Sequence, residues 1–178
     1  MSFRTLIGKL FSPNYLLATN AVSGTVFLLV GDAVQQTLER RVLRTAKTTD
    51  FDKQRFVAMS FGGLYFGIFG HFWYLFLDRR FPPAIRHSLR NKLLCEAAVG
   101  PPFAATLFYL VGTVEQKSPR HVTDQLRSSL PLLCAADWLV FIPVQFLNFR
   151  YFAPKFRFVF VAVISLFYDT FLSFILHQ

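Results

Sequence analysis

Asp137-Trp138-Leu139-Val140-Phe141-Ile142-Pro143-Val144-Gln145-Phe146-Leu147-Asn148-Phe149 is an apolar stretch that carries a carboxylate, two amides and a proline. It belongs to the apolar run 130–149, which the short basic link 150–155 joins to a second run, 156–176. Each run has about 20 residues, or ~30 Å of helix, about the thickness of a bilayer's hydrocarbon core. The second run also carries a carboxylate, Asp169. A carboxylate at membrane depth costs several kcal/mol, so it is expected to face other helices or a wet cavity. At about 100° per residue, Asp137 and Asn148 lie within about 20° of each other on a helix, with Gln145 on a neighbouring face. Pro143 removes one backbone donor and frees the carbonyl of Leu139, so a kink is expected there.

The rest of the chain has the same character. Of 178 residues, 53% are hydrophobic and 17% aromatic, above the usual apolar share of a soluble domain, and the apolar residues come in long runs. The expected fold class is an all-α integral membrane protein, a bundle of four to five transmembrane helices with short amphipathic helices. One membrane-embedded domain, 1–178, is expected, with apolar runs 15–36, 56–77, 93–114, 130–149 and 156–176. Ahead of them, Phe3, Leu6, Ile7, Leu10 and Phe11 line one face of a short basic segment, 1–13. That pattern suits mitochondrial targeting and equally an interfacial helix that stays on the protein.

Polar residues recur inside the runs. Asp32 shares a helical face with Gln35 and Gln36. In 56–77, Gly63, Gly67 and Gly70 lie on roughly one side, where a neighbouring helix can approach closely, and His71 sits near the exit. In 93–114, Glu96 precedes Gly100-Pro101-Pro102, and the two prolines leave the carbonyls of Ala97 and Ala98 without helical donors. Such an irregularity needs protein or a water-filled space beside it. The candidate polar interior is therefore Asp32, Gln35, His71, Glu96, Asp137, Gln145, Asn148 and Asp169, with helix kinks at Pro101, Pro102 and Pro143. Cys95 and Cys134 read as small buried hydrophobes, a single bridge between them remaining open. The stretches 39–55, 78–92 and 115–129 read as polar connections, and Ser118-Pro119 as a helix start.

Several of these residues fall in a recurrent order: Asp137-Trp138, Pro143-x-Gln145-x-x-Asn148-Phe149, Pro154-x-x-Arg157, then Asp169-Thr170-Phe171-Leu172-Ser173. This order resembles the signature of the Mpv-seventeen and peroxisomal-membrane-protein-twenty-two family. The likeness extends to Leu16-Leu17-x-Thr19-Asn20, Gly24, Gly31-Asp32 and Phe51-Asp52-x-x-Arg55; its Leu-Leu-x-Thr-Asn form is similar to the like-protein-two branch. The family usually has Asp-Gln where this chain has Cys95-Glu96, and Trp-Pro where it has Ile142-Pro143. The resemblance implies four spans, a mitochondrial inner-membrane setting (alternatively a peroxisomal membrane), and support of mitochondrial ribosome assembly and translation.

Net charge is +9, with the basic residues mostly in the connections. Basic loops beside a membrane attract anionic head groups, nucleotides or RNA; a ribosomal surface is what the resemblance implies. The simpler reading is that they anchor helices at the head-group level. No phosphate-binding glycine loop, nucleophile elbow, paired metal-ligand histidines or DNA-binding motif occurs, so the expectation is no enzyme, no cofactor and no metal. The expected partners are the lipid bilayer and, through the basic loops, mitochondrial ribosome or RNA, with a homo-oligomer open. The alternative function is a channel or pore for small solutes.

Overall fold

A computed structural model describes residues 3–43 and 50–176, with the backbone alone for 3, 42, 43 and 169–176. The Asp169 side chain and the middle of the 39–55 stretch therefore lie outside the described residues. The order is α1 (Phe3–Leu10), α2 (Leu16–Leu38) continued by a π-helical turn (Glu39–Leu43), α3 (Lys53–Arg80), α4 (Ser88–Val114), α5 (Pro119–Tyr151), a 3₁₀ turn (Pro154–Phe156) and α6 (Arg157–Leu176). The chain is an all-α membrane protein. Four described helices, Leu16–Arg41, Lys53–Arg80, Ser88–Val114 and Pro119–Tyr151, are long and apolar enough to cross a bilayer.

Sequential helices run antiparallel, as their cross-contacts show. Asn20 meets His71 and Asp32 meets Arg55 between α2 and α3. Trp73 meets Glu96 between α3 and α4, and Ala97 meets Trp138 between α4 and α5. One end of the bundle therefore gathers the starts of α2, α4 and α6 with the ends of α3 and α5. A small core sits near that end, where Tyr74 and Leu77 of α3 pack on Phe158, Val161 and Ala162 of α6. At the same end α1 is tied down by Phe11 against Phe156, ring centroids 4.7 Å apart, and by the Thr19 hydroxyl donating to the Leu10 carbonyl.

Burial is inverted relative to a water-soluble protein. Asn20, Asp32, Gln36, Lys92, Gln145, Asn148 and Arg157 are buried, while Val22, Phe72, Leu94, Leu132, Leu139 and Phe167 are among the exposed apolar side chains. In water that distribution would be unfavourable on both counts. In a bilayer it is the stable one, because tails solvate the apolar belt and only other helices can satisfy the polar groups.

The helices overrun the apolar runs. Lys53 and Arg55 are in the first turn of α3, Asp78, Arg79 and Arg80 in its last, and Lys92 is in α4, although 39–55 and 78–92 read as connections. Asp52 caps α3, its carboxylate accepting from the Arg55 amide at 2.9 Å. α5 starts at Pro119, with the Ser118 hydroxyl accepting from the His121 amide, and continues helical through Pro131 and Pro143. α4 likewise continues through Pro101 and Pro102. The two cysteines are free, which closes the alternative of a bridge.

Three glycines of α3 meet its neighbours closely. A Cβ on Gly63 would stand 2.5 Å from the Thr25 Cα, and one on Gly67 would stand 2.6 Å from the Ala21 Cα, both backbone atoms of α2. Gly70 instead receives the Phe158 ring of α6.

Candidate functional site

Between the helices lies a cavity of about 530 Å³, lined from α2 to α6. Its wall is largely aromatic and aliphatic, but Asp32, Gln35, Glu96, Asp137 and Gln145 all reach it. Three helices thus each bring one carboxylate to a shared space.

Glu96 is held by a chain of amides and rings. Its Oε1 accepts from the Trp73 indole nitrogen at 2.8 Å, and its Oε2 accepts from the Gln145 Nε2 at 2.9 Å. Both oxygens serve as acceptors. The Gln145 amide also donates to the Tyr74 hydroxyl at 2.7 Å, and its Oε1 accepts from Asn148 at 2.9 Å. Asn148 is fully buried behind Gln145 and does not line the cavity. Asp137 is bonded to the Tyr168 hydroxyl of α6. The carbonyl of Ala97, freed by Pro101, accepts from the Trp138 indole at 3.1 Å, so α5 supplies the donor that the proline lacks.

Asp32 is neutralised. Arg55 Nε stands 2.6 Å from its carboxylate, Gln36 donates to it at 2.8 Å, and Arg55 also reaches Glu39 at 3.0 Å. Gln36 further clasps the Asp52 backbone, accepting from its amide at 2.8 Å and donating to its carbonyl at 3.2 Å. Gln35 lines the cavity while donating to Glu39. His71 stands apart from this group, its Nδ1 3.3 Å from the Asn20 amide at the α2–α3 crossing.

Sequence reasoning missed a second polar group at the bundle's end. Asp78 accepts from Lys92 at 2.5 Å and from Arg157. Both cations also lie over the Phe149 ring, 5.3 Å from its centroid. Asp78 follows the apolar run 56–77 directly and so read as connection. Arg55 and Arg157 stood in the recurrent motifs with no role attached. Among the described residues, no group of three or more His, Cys, Asp or Glu is placed to hold a metal.

Residues 112–173 match a family model described as the Mpv17 / PMP22 family, a span that holds Asp137, Gln145, Asn148 and Arg157. Protein SYM1 of Mycosarcoma maydis is 32% identical, the match covering 85% of this chain and 75% of that one. PXMP2/4 family protein 4 of Dictyostelium discoideum is 28% identical over 96% of each chain. Peroxisomal membrane protein 2 of Bos taurus is 25% identical over 89% of this chain and 82% of its own. No solved structure matches the chain.

Proposed function

Because the chain belongs to the Mpv17 / PMP22 family, a family of membrane proteins, we propose that it forms a pathway for small solutes through a membrane and does no covalent chemistry. The observation that carries this reading is the cavity that Asp32, Glu96 and Asp137 share. Depths follow from the helix rise. Measured from the end where α2, α4 and α6 begin, Glu96 lies ~12 Å in and Asp137 ~21 Å, while Asp32, paired with Arg55 in the first turn of α3, lies near the opposite end. The acids therefore step along the bundle from one half to the far end. An acidic lining admits cations and opposes bare anions.

Purified protein in planar bilayers under a potassium chloride gradient is expected to conduct, with a reversal potential on the cation side. Asp137→Asn removes one wall charge worth ~1 kcal/mol in a wet cavity, so the cation-to-anion ratio falls about fivefold. Absence of conductance, or a reversal potential that the substitution leaves in place, refutes the pathway.

A second reading, support of mitochondrial ribosome assembly at the inner membrane, draws on a different observation. Arg79, Arg80, Arg86, Arg90, Arg150 and Lys155 are exposed at the end where α2, α4 and α6 begin, and Asp78, the acid in their midst, is engaged by Lys92 and Arg157. At the opposite end Glu39, Asp50, Asp52, Glu115 and Asp124 interleave with the basic residues. The basic end suits a polyanion such as ribosomal RNA. On this reading the protein co-sediments with mitochondrial ribosomal subunits at low salt and is released as salt rises. A protein that stays in the light fractions at low salt does not fit. The setting is proposed as the mitochondrial inner membrane; the bovine and Arabidopsis thaliana relatives named for the peroxisomal membrane support the alternative.

A further inference from the structure

We infer that the cavity is a binding site for an organic cation with an apolar body, such as a hydrophobic ammonium or phosphonium. The inference takes from the proposed function only that the cavity admits a solute. Two features of the wall point to this class. Phe69, Trp73, Phe103, Trp138, Phe141 and Phe158 offer ring surface around the space, with Phe69 and Trp73 stacked at 5.9 Å and Phe69 and Phe103 tilted at 5.0 Å. Glu96 and Asp137 reach the same space, and among the described residues neither has a cationic partner, unlike Asp32, which has Arg55. The partners they do have are neutral donors: Trp73 and Gln145 for Glu96, Tyr168 for Asp137.

Two acidic side chains without a cationic partner, facing an apolar space, favour a positive charge placed inside it. A small inorganic ion can pass through with its water shell but is not held there, because walls made mostly of carbon offer it few oxygen ligands. An organic cation brings its own apolar surface for the rings, and its charge interacts with both the carboxylates and the ring faces. The volume, about 530 Å³, falls in the range that holds a molecule of drug size.

The chain's two tryptophans, Trp73 and Trp138, both line the cavity, so their fluorescence reports occupancy directly. The probe pair is tetraphenylphosphonium and tetraphenylborate, nearly equal in size and opposite in charge, titrated into the detergent-solubilised full chain with protein-free micelles subtracted. Tetraphenylphosphonium is expected to give a saturable change that 0.3 M potassium, roughly twice physiological ionic strength, does not reverse; tetraphenylborate is expected to give none. Asp137→Asn and Glu96→Gln each weaken phosphonium binding by about fivefold or more. Arg79→Gln, a charge change at the basic end, leaves it as it was. If Glu96→Gln loses its helical fold, Asp137→Asn decides alone, since Asp137 holds fewer neighbours.

Equal binding of the two probes, or phosphonium binding that neither variant weakens, overturns the inference. Saturable phosphonium binding by a protein that conducts nothing supports it and ends the pathway reading. Conduction of potassium without saturable phosphonium binding ends the inference and leaves the pathway.

Discussion

Asp78→Asn is expected to destabilise the bundle by about 3–5 kcal/mol, the usual cost of removing one partner from a buried ion pair. Asp78 is the anion that Lys92 and Arg157 share, and their side chains are 5% and 9% exposed. Asparagine keeps the shape and one acceptor oxygen but no charge, so two cations are left in a site that water reaches poorly. Phe149 offers both of them a ring face, and the Phe152 carbonyl accepts from Arg157 Nε at 3.2 Å, but neither contact replaces a carboxylate. The loss spreads over three helices, because Asp78 belongs to α3, Lys92 to α4 and Arg157 to α6. Unfolding in mixed detergent, followed by circular dichroism, measures it. Adding Lys92→Met to Asp78→Asn recovers part of the loss, since one of the two orphaned cations is gone. The pair of Lys117 and Glu115, with Lys117 38% exposed, is the contrast: Lys117→Gln changes stability by less than ~1 kcal/mol. An Asp78→Asn protein that unfolds with wild type would show that the two cations find other partners.

The same residues show how far the sequence could be read. Helices and their order follow from run length, because about 20 apolar residues have few uses other than crossing a bilayer. Ends do not follow, because hydropathy counts Arg55, Asp78 and Lys92 as solvent-seeking. In the fold Arg55 pairs with Asp32 and Glu39 at one end of α3 and Asp78 with Lys92 and Arg157 at the other, and the helices lengthen to carry them. The polar interior is legible one helix at a time and not across helices. Pro101 announces a free carbonyl at Ala97, but nothing local says that Trp138, 41 residues on, supplies the donor. Nothing local to Tyr74 says that it is buried and bonded to Gln145, 71 residues away. His71 reads as a member of the polar interior, but the sequence does not say that it meets Asn20 at the α2–α3 crossing, away from the cavity. Spacing reports which face of its own helix a side chain occupies; which neighbour meets that face is decided by packing.

That crossing supplies the second large effect. Gly67→Ala is expected to cost about 3 kcal/mol, the upper part of the range for overpacking. The sign is opposite to that of most helical glycines, where alanine gains up to ~1 kcal/mol of helix propensity. A methyl at Gly67 falls on the Asn20 carbonyl oxygen and 2.6 Å from the Ala21 Cα. These are backbone atoms, so no rotamer change relieves the contact and α2 must move as a body. Gly24 and Gly63 leave it little room, since a Cβ on Gly24 would stand 2.6 Å from the Gly63 carbonyl oxygen. Moving α2 outward also draws Asn20 from His71 and Asp32 from Arg55, so one added carbon loosens the whole α2–α3 seam. Gly8→Ala is the control: Gly8 is also inside a helix, with nothing within 4 Å of the added carbon, and that variant is expected to be as stable as wild type or slightly more so. Detergent unfolding midpoints of the two variants, taken side by side, separate close packing from propensity; a Gly67→Ala protein that gains stability as Gly8→Ala does would mean that α2 and α3 do not touch backbone to backbone.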